Sequence, residues 1–518
     1  MMCERQLYRL TLCALFATLH GCTPTSQPQR STTQPPVIAP HATPASAIGT
    51  PRTQTATSEP SVAATATGPA TTTSTVAPPA TSTSSATIPT SLGWSTDTRI
   101  VRFTETAHIM TAADAKSAPL GKVMRGTKTA WTRFVDLSPA PPALPADTNA
   151  AATKKKRPVA KLKKCAIWVE ITPMGWVCQG SLAPTKDTVG DADPQPVLER
   201  GDIMPGTYFL VKDGALAYGT PDDIKANNPR PDPLEKTMLR GNGTVDVDGV
   251  SYHKTNKGLI ESSLMRGMSP SDFAGVDLRQ APQSWPFAMI SGGKRGPATV
   301  RADPNAKAKK VGSKPWRSLV AVGAEQDGFV AIGENQWIAR STLRVFTKQV
   351  RPATVAADGQ WIDVDLDEQT VVAYQGDTPI FASVISSGRK AGTTPVGMYR
   401  VRSKAATMRM AGEPGTNEKY DVGEIPWAMR FKKGVFFHAS YWHDGFGTKH
   451  SHGCVNLSPR DARFLYNWAG PSVPDGWTEL EVAKDQGTVV RVRDAANPDP
   501  TWYAYTDEPT VELDDTLP

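Results

Sequence analysis

Cysteine is scarce in this chain, six among 518 residues, and aromatic side chains supply only 7% of it. Near the N-terminus the apolar run Leu10 to Leu19 follows Arg5 and Arg9 and leads into His20-Gly21-Cys22. It is far short of the roughly 20 residues that span a bilayer, so it reads as the core of an export signal and not as a membrane helix. Paired metal knuckles are missing too. Structural zinc sites take ligands about two to four residues apart from two separate places, and only one such place occurs, around His450, His452 and Cys454. No metal and no cofactor is expected. Nor is there a large excess of one charge. The net charge is +7, with a basic cluster, Lys154-Lys155-Lys156-Arg157 and Lys161, Lys163 and Lys164, in a loop running from Pro139 to Lys164. No aromatic is interleaved with those lysines, so the loop reads as a solvated insertion with some attraction for anionic envelope material, and nucleic acid is not expected as a partner.

Residues 23–93 are nearly all Thr, Ala, Pro and Ser. Such a segment cannot bury enough apolar surface to offset chain entropy and is expected to be a disordered linker. As a flexible coil of about 70 residues it would reach on the order of 45–50 Å. Leu19-His20-Gly21-Cys22 resembles a lipobox, which implies cleavage before Cys22 and its acylation. Thr23 after that cysteine points to an outer membrane. The expected localisation is therefore exported and periplasmic, with the membrane touched through a lipid anchor alone. Ordinary cleavage to a soluble secreted protein is the alternative.

One stretch organises the rest: Val435-Phe-Phe-His438-Ala-Ser-Tyr-Trp-His443 through Lys449-His450-Ser451-His452-Gly453-Cys454-Val-Asn456-Leu457. It holds four of the eight histidines and the cysteine left over once the others are assigned. A thiol is a nucleophile as thiolate and needs a base or a positive field beside it; histidine is the usual base. His438 precedes Cys454 by 16 positions, which suits two adjacent strands joined by a loop. His450 and His452 are nearer in sequence, but Gly453 suggests a sharp turn between them and the thiol.

The ordered string Ser451-His452-Gly453-Cys454-Val455-Asn456-Leu457, preceded by a hydrophobic run ending in His438, resembles the active-site signature of the L,D-transpeptidases of bacterial cell walls (YkuD-like domains). Gly392-Thr-Thr-Pro395-Val-Gly397-Met-Tyr399-Arg-Val401 is similar to the family's Thr-Pro-x-Gly turn feeding a strand. The resemblance spans residues 352–493 and implies a mainly β, YkuD-like β-sandwich. It makes Cys454 the nucleophile and His438 the proton acceptor and donor, with Ser451, His452 and Gly453 shaping the turn. Backbone N–H groups around Gly453 and Cys454 are the expected oxyanion donors. Residues 401–426 would supply a cap over the cleft, and Tyr441, Trp442 and Asn456 are candidates for substrate contact. Orientation of His438 falls to the Ala439 carbonyl or the Ser440 hydroxyl.

Between Trp94 and Phe346 the pattern is short β-like runs with Gly, Pro and Asp turns. A weak repeat ends three stretches: Trp168 to Val177 leading to Ser181-Leu182, Tyr252 to Ile260 leading to Ser263-Leu264, and Phe329 to Ile338 leading to Ser341 and Leu343. These resemble bacterial SH3-like barrels, so two or three are expected, at 94–185, 186–290 (the least certain) and 291–350. Cys165 and Cys178 are 13 residues apart on expected neighbouring strands and suit a disulfide in an oxidising compartment. The whole layout is a signal peptide at 1–22, the linker, these modules, the catalytic domain at 352–493 and a tail at 494–518.

The expected function is peptidoglycan L,D-transpeptidation. A stem tetrapeptide acylates Cys454 with release of D-Ala, and the acyl group passes to an amine, giving a 3-3 cross-link or attachment to an envelope or outer-membrane protein. The alternatives are an L,D-carboxypeptidase or endopeptidase of the same fold, and a non-enzymatic scaffold that binds the wall.

Overall fold

The structure, a computed structural model, describes residue 94 and residues 98–137, 165–189, 202–292, 295–412 and 421–505. The leader with Cys22, the linker 23–93, the lysine-rich loop 139–164 and the terminus 506–518 lie outside the described residues.

The chain is mainly β. Strands Gln360–Asp365, Thr370–Gln375 and Thr378–Val384 form an antiparallel meander, and Val489–Arg493 returns to pair in parallel with the first of them. Their side chains alternate between two cores. Ile362, Val364, Val371 and Ala373 face one apolar cluster, whereas Trp361, Val372 and Tyr374 face another. Both faces of this sheet are therefore covered, and period-two alternation merges into a continuous buried run.

The inner face packs on a second sheet built from the long hairpin Ser403–Ala411 and Asp421–Lys432, then Val435–Ala439 and Val455–Leu457. Helix Pro459–Trp468 closes the same core with Ala462, Leu465 and Tyr466. It starts where it does because the Ser458 hydroxyl accepts the Asp461 N–H at 3.2 Å and Pro459 opens the first turn. The described parts of the expected cap segment 401–426 are thus largely strand, in Ser403–Ala411 and from Asp421 on, and belong to the sheet itself.

The three N-terminal repeats share one local design. Hairpins Ile167–Ile171/Trp176–Cys178, Val250–Thr255/Gly258–Glu261 and Phe329–Gly333/Gln336–Ala339 each run into a 3-10 turn and a last strand. Those turns are Gln179–Ser181, Ser262–Leu264 and Arg340–Thr342, which explains the recurring Ser/Leu tails. Cys165 and Cys178 are joined, with Cα atoms 5.7 Å apart.

The third repeat begins earlier than residue 291. Phe287–Ile290 pairs with both Leu319–Ala321 and Leu343–Phe346. A still earlier segment, Val276–Asp277, adds an edge strand to the meander sheet beside Thr378–Val384.

The repeats attach differently. Pro119–Val123 of the first pairs with Trp477–Glu481, itself beside Ser403–Ala411. Thr237–Gly241 of the second pairs in parallel with Asp421–Lys432. The third instead covers the outer face of the meander sheet, where Phe287, Met289 and Phe346 join Trp361, Tyr374 and Phe446 in one core.

Candidate active site

Val435–Ala439 and Val455–Leu457 are parallel neighbours, with His438 opposite Asn456 and Phe437 opposite Val455. Cys454 enters one step ahead of that strand, level with Phe436. Directly opposite residues of paired strands share a face, so this register turns His438 and Asn456 toward the same side, with Cys454 in the bend that leads into the second strand. The loop between the two strands, not any helix, supplies the 16-residue separation.

His438 is 1% exposed. Its Nδ1 lies 3.0 Å from the Ala439 carbonyl, and a carbonyl only accepts, so Nδ1 carries the proton and Nε2 carries the lone pair. Ser440, the other expected orienter, buries its hydroxyl without a partner among the described residues. Burial lowers the His438 pKa to about 4, against a small raising effect of the Ala439 carbonyl. Burial also pushes the Cys454 thiol up to about 11, opposed by the Phe436 backbone N–H. The resting pair is therefore neutral thiol and neutral imidazole. The half-buried thiol donates toward the Gly434 carbonyl at 3.7 Å.

The turn before the thiol is locked by one side chain. Ser451 Oγ donates to the Cys454 carbonyl at 2.5 Å and accepts the Gly453 N–H at 3.0 Å. That second bond occupies one of the two expected oxyanion donors, so the N–H of Cys454 itself is the remaining backbone donor at this turn. Gly453 is required by contact: a Cβ there would meet the Thr393 carbonyl at 2.8 Å.

Thr394 completes the support, its hydroxyl donating to the Gly453 carbonyl at 2.7 Å while accepting the Gly388 N–H at 2.9 Å. Gln369 holds Ser387 through both ends of its carboxamide, and the Ser387 carbonyl takes the N–H groups of His450 and Ser451, each at 3.0 Å. Among these supports only Thr394 had a sequence signal, the Thr-Pro-x-Gly turn.

The other candidates spread out. His452 is exposed, with Nε2 3.3 Å from Arg389 Nη2. Tyr441 is 1% exposed, packs on Tyr208 of the second repeat and donates to the Gly423 carbonyl. Asn456 is buried, and its carboxamide meets His443 Nε2 at 2.9 Å. Tyr441 and Asn456 thus engage polar atoms inside the protein, whereas Trp442, half-buried, stacks on the His438 ring with centroids 5.8 Å apart. His443 and His450 stack on each other at 5.1 Å. Among the described residues no group of three or more His, Cys, Asp or Glu side chains is arranged to hold a metal.

The family described as the L,D-transpeptidase catalytic domain (YkuD) matches residues 359–492. Among curated proteins, the "Putative L,D-transpeptidase YciB" of Bacillus subtilis (strain 168) is 32% identical over 120 residues, covering 20% of this chain and 59% of that protein. Among solved structures, the catalytic domain of the E. faecium L,D-transpeptidase is 26% identical and covers 27% of this chain and 99% of its own, with a TM-score of 0.21. An L,D-transpeptidase from Mycobacterium smegmatis is 20% identical, covers 44% of this chain and 89% of its own, and has a TM-score of 0.22. The chain spans little more than half the length of the curated relative that it matches. The likeness falls on the segment that holds His438 and Cys454, and it is a likeness to the L,D-transpeptidase catalytic domain.

Proposed function

We propose that the chain is an L,D-transpeptidase of peptidoglycan that works through a Cys454 thioester. The observation that carries this reading is the parallel register of Val435–Ala439 and Val455–Leu457, with Nδ1 of His438 committed to the Ala439 carbonyl and Nε2 left as base. With both groups neutral at rest, proton transfer accompanies attack. Nε2 takes the thiol proton as sulfur bonds to the carbonyl carbon of the third stem residue, and the Cys454 N–H faces the developing oxyanion. The bond to D-Ala then breaks, and the imidazolium gives its proton to the departing amine. An acceptor amine next attacks the thioester and loses a proton to Nε2. The new amide forms, and the thiol is regenerated with the imidazole neutral again.

Export, acylation at Cys22 and a reach across the envelope belong to the same proposal, resting on the leader and linker composition. Wall stem peptides are the proposed donor, and a second stem or an envelope protein amine the acceptor.

The test incubates the full chain, with Cys454 intact or changed to Ala, with tetrapeptide muropeptides and reads products by mass spectrometry. Cross-linked dimers with D-Ala release that require Cys454 support the proposal. Tripeptide alone would make water the acceptor and the protein a carboxypeptidase. A folded sample with neither product nor thioester adduct would leave the wall-binding scaffold as the better account.

A further inference from the structure

The loop between His438 and the Cys454 turn is gripped by the third repeat. Arg317 donates through Nη2 to the Asp444 carbonyl at 3.2 Å and also bonds the Asp444 carboxylate. Its guanidinium lies between the rings of Trp316 and Phe273, 3.9 and 4.2 Å from their centroids. Its backbone sits at φ +66°, a left-handed conformation that a side chain of this size seldom adopts without a compensating contact.

Two further bonds fall on the same loop. Ser291 Oγ donates to the Phe446 carbonyl at 2.7 Å, and Arg344 Nε donates to the Gly447 carbonyl at 2.5 Å. Gly447 has φ +95°, and a Cβ there would sit 2.5 Å from Ser291 Oγ, so loop and repeat are fitted to each other. On its other side the loop reaches the reacting pair. His443, next to Asp444, has Nδ1 accepting the Gly445 N–H at 3.2 Å, so its proton sits on Nε2, 2.9 Å from the Asn456 carboxamide, whose oxygen accepts it once the amide is turned. Asn456 is the register partner of His438, and Trp442 stacks on the His438 ring.

We infer that Arg317 is a positioning residue for the Cys454 site: by fixing Asp444 it seats the loop that packs Trp442 on His438 and His443 on Asn456, making the third repeat a wall of the active site. A repeat that served only as a spacer or wall binder would have no need of a guanidinium flanked by two rings whose Nη2 alone reaches both the carbonyl and the carboxylate of Asp444 in this loop. The kinetic consequence rests on the acyl-transfer reading, whereas the structural one does not.

The test uses the full chain with Arg317→Ala, Arg317→Lys, Asp444→Asn and the Arg317→Ala/Asp444→Asn pair. The first readout is D-Ala release. Arg317→Ala is expected to lower kcat about 10- to 100-fold with KM moved less than about threefold, because the reacting pair is misplaced and not lost. Arg317→Lys should fall between parent and Arg317→Ala, and the double variant should be no worse than the poorer single one. The second readout needs no substrate. Iodoacetamide labelling of the Cys454 peptide, read by mass spectrometry at a temperature well below the melting transition, should speed up about tenfold or more in Arg317→Ala as the loop lifts and water reaches the thiol. A lower melting temperature with unchanged kcat per folded molecule and an unchanged labelling rate would overturn the inference, leaving Arg317 a stabilising contact alone. If the parent releases no D-Ala, the acyl-transfer reading fails by itself and the labelling rates still decide the role of Arg317.

Discussion

Strand Val435–Ala439 and the loop at 440–450 are consecutive in the chain, and they bring a buried and a half-buried imidazole, His438 and His443, to the same site, but they are held by opposite means. The strand is placed by backbone pairing on both sides, with Asp421–Lys432 and with Val455–Leu457. The loop is placed by side chains remote in sequence: Ser291, Arg317 and Arg344 lie 155, 127 and 103 positions from the loop residues they bond. Burial depresses both rings, His438 to about 4 and His443 to about 3. A shifted pKa therefore does not separate a base from a support. The occupancy of the ring nitrogens does, since His443 has contacts at both whereas His438 commits only Nδ1, which on the proposed mechanism leaves Nε2 to take the thiol proton.

The largest expected effect puts that distinction to a direct test. His438→Ala should lower kcat/KM for D-Ala release by about 10²- to 10⁴-fold, the usual contribution of a positioned general base. His443→Gln, which keeps a donor and an acceptor near Asn456 and Gly445, should cost about tenfold or less, in line with about 1 kcal/mol for a hydrogen bond disturbed but not abolished. Equal losses would erase the comparison, and a larger loss at His443 would reverse the assignment of the base.

The same contrast explains what could be read from the chain before its fold was known. Pairing of adjacent strands converts sequence order into spatial order. A hydrophobic strand ending in His438, a loop, and a turn into Val455–Leu457 were therefore enough to set His438 beside the strand that Cys454 leads into. The hairpins of the repeats were legible for the same reason, their tips marked by Gly175 and Asn335 at positive φ. Nothing local marks Arg317 as the partner of Asp444, because a guanidinium finds its carboxylate only after the third repeat has docked on the meander sheet. Tyr441 misled because an aromatic beside a catalytic strand reads equally as a substrate contact or as packing, and only Tyr208, from a different repeat, makes it packing. The Gly453 N–H misled for a similar reason, since glycine at a turn suggests an open donor while Ser451 closes it.

The next effect concerns the strand side alone. Burial raises the Cys454 thiol to about 11, so the thiolate is the disfavoured form at neutral pH. Labelling of the Cys454 peptide by iodoacetamide should climb steadily from pH 8 to 10, about tenfold per unit, and level off only near pH 11. A plateau already reached by pH 7 would mean a preformed thiolate–imidazolium pair. The neutral resting state, and with it the concerted proton transfer, would then be wrong.

The smallest effect sharpens the comparison through stability. Both folded-state histidine pKa values lie below the unfolded value of about 6.5. Between pH 6.5 and those values the unfolded chain takes up protons that the folded chain refuses. Their stabilisation is thus complete above about pH 6.5 and drains away as the pH falls, over a window reaching about 4 for His438 and about 3 for His443. Asp461 runs the other way. It is buried against the Gly275 N–H and the Ser383 hydroxyl, with its pKa raised to about 6, so the folded chain takes its proton first and gains relative stability below that value. From pH 7 to pH 5 each of these two histidines should remove about 2 kcal/mol, and Asp461 should offset about 1.4. Urea titrations at the two pH values should therefore show a loss about 2 kcal/mol smaller in His443→Gln than in the parent. An unchanged loss would mean that the His443 ring is already hydrated at neutral pH. The loop would then be looser than the strand beside it, and its grip by Arg317 weaker than the bonds suggest.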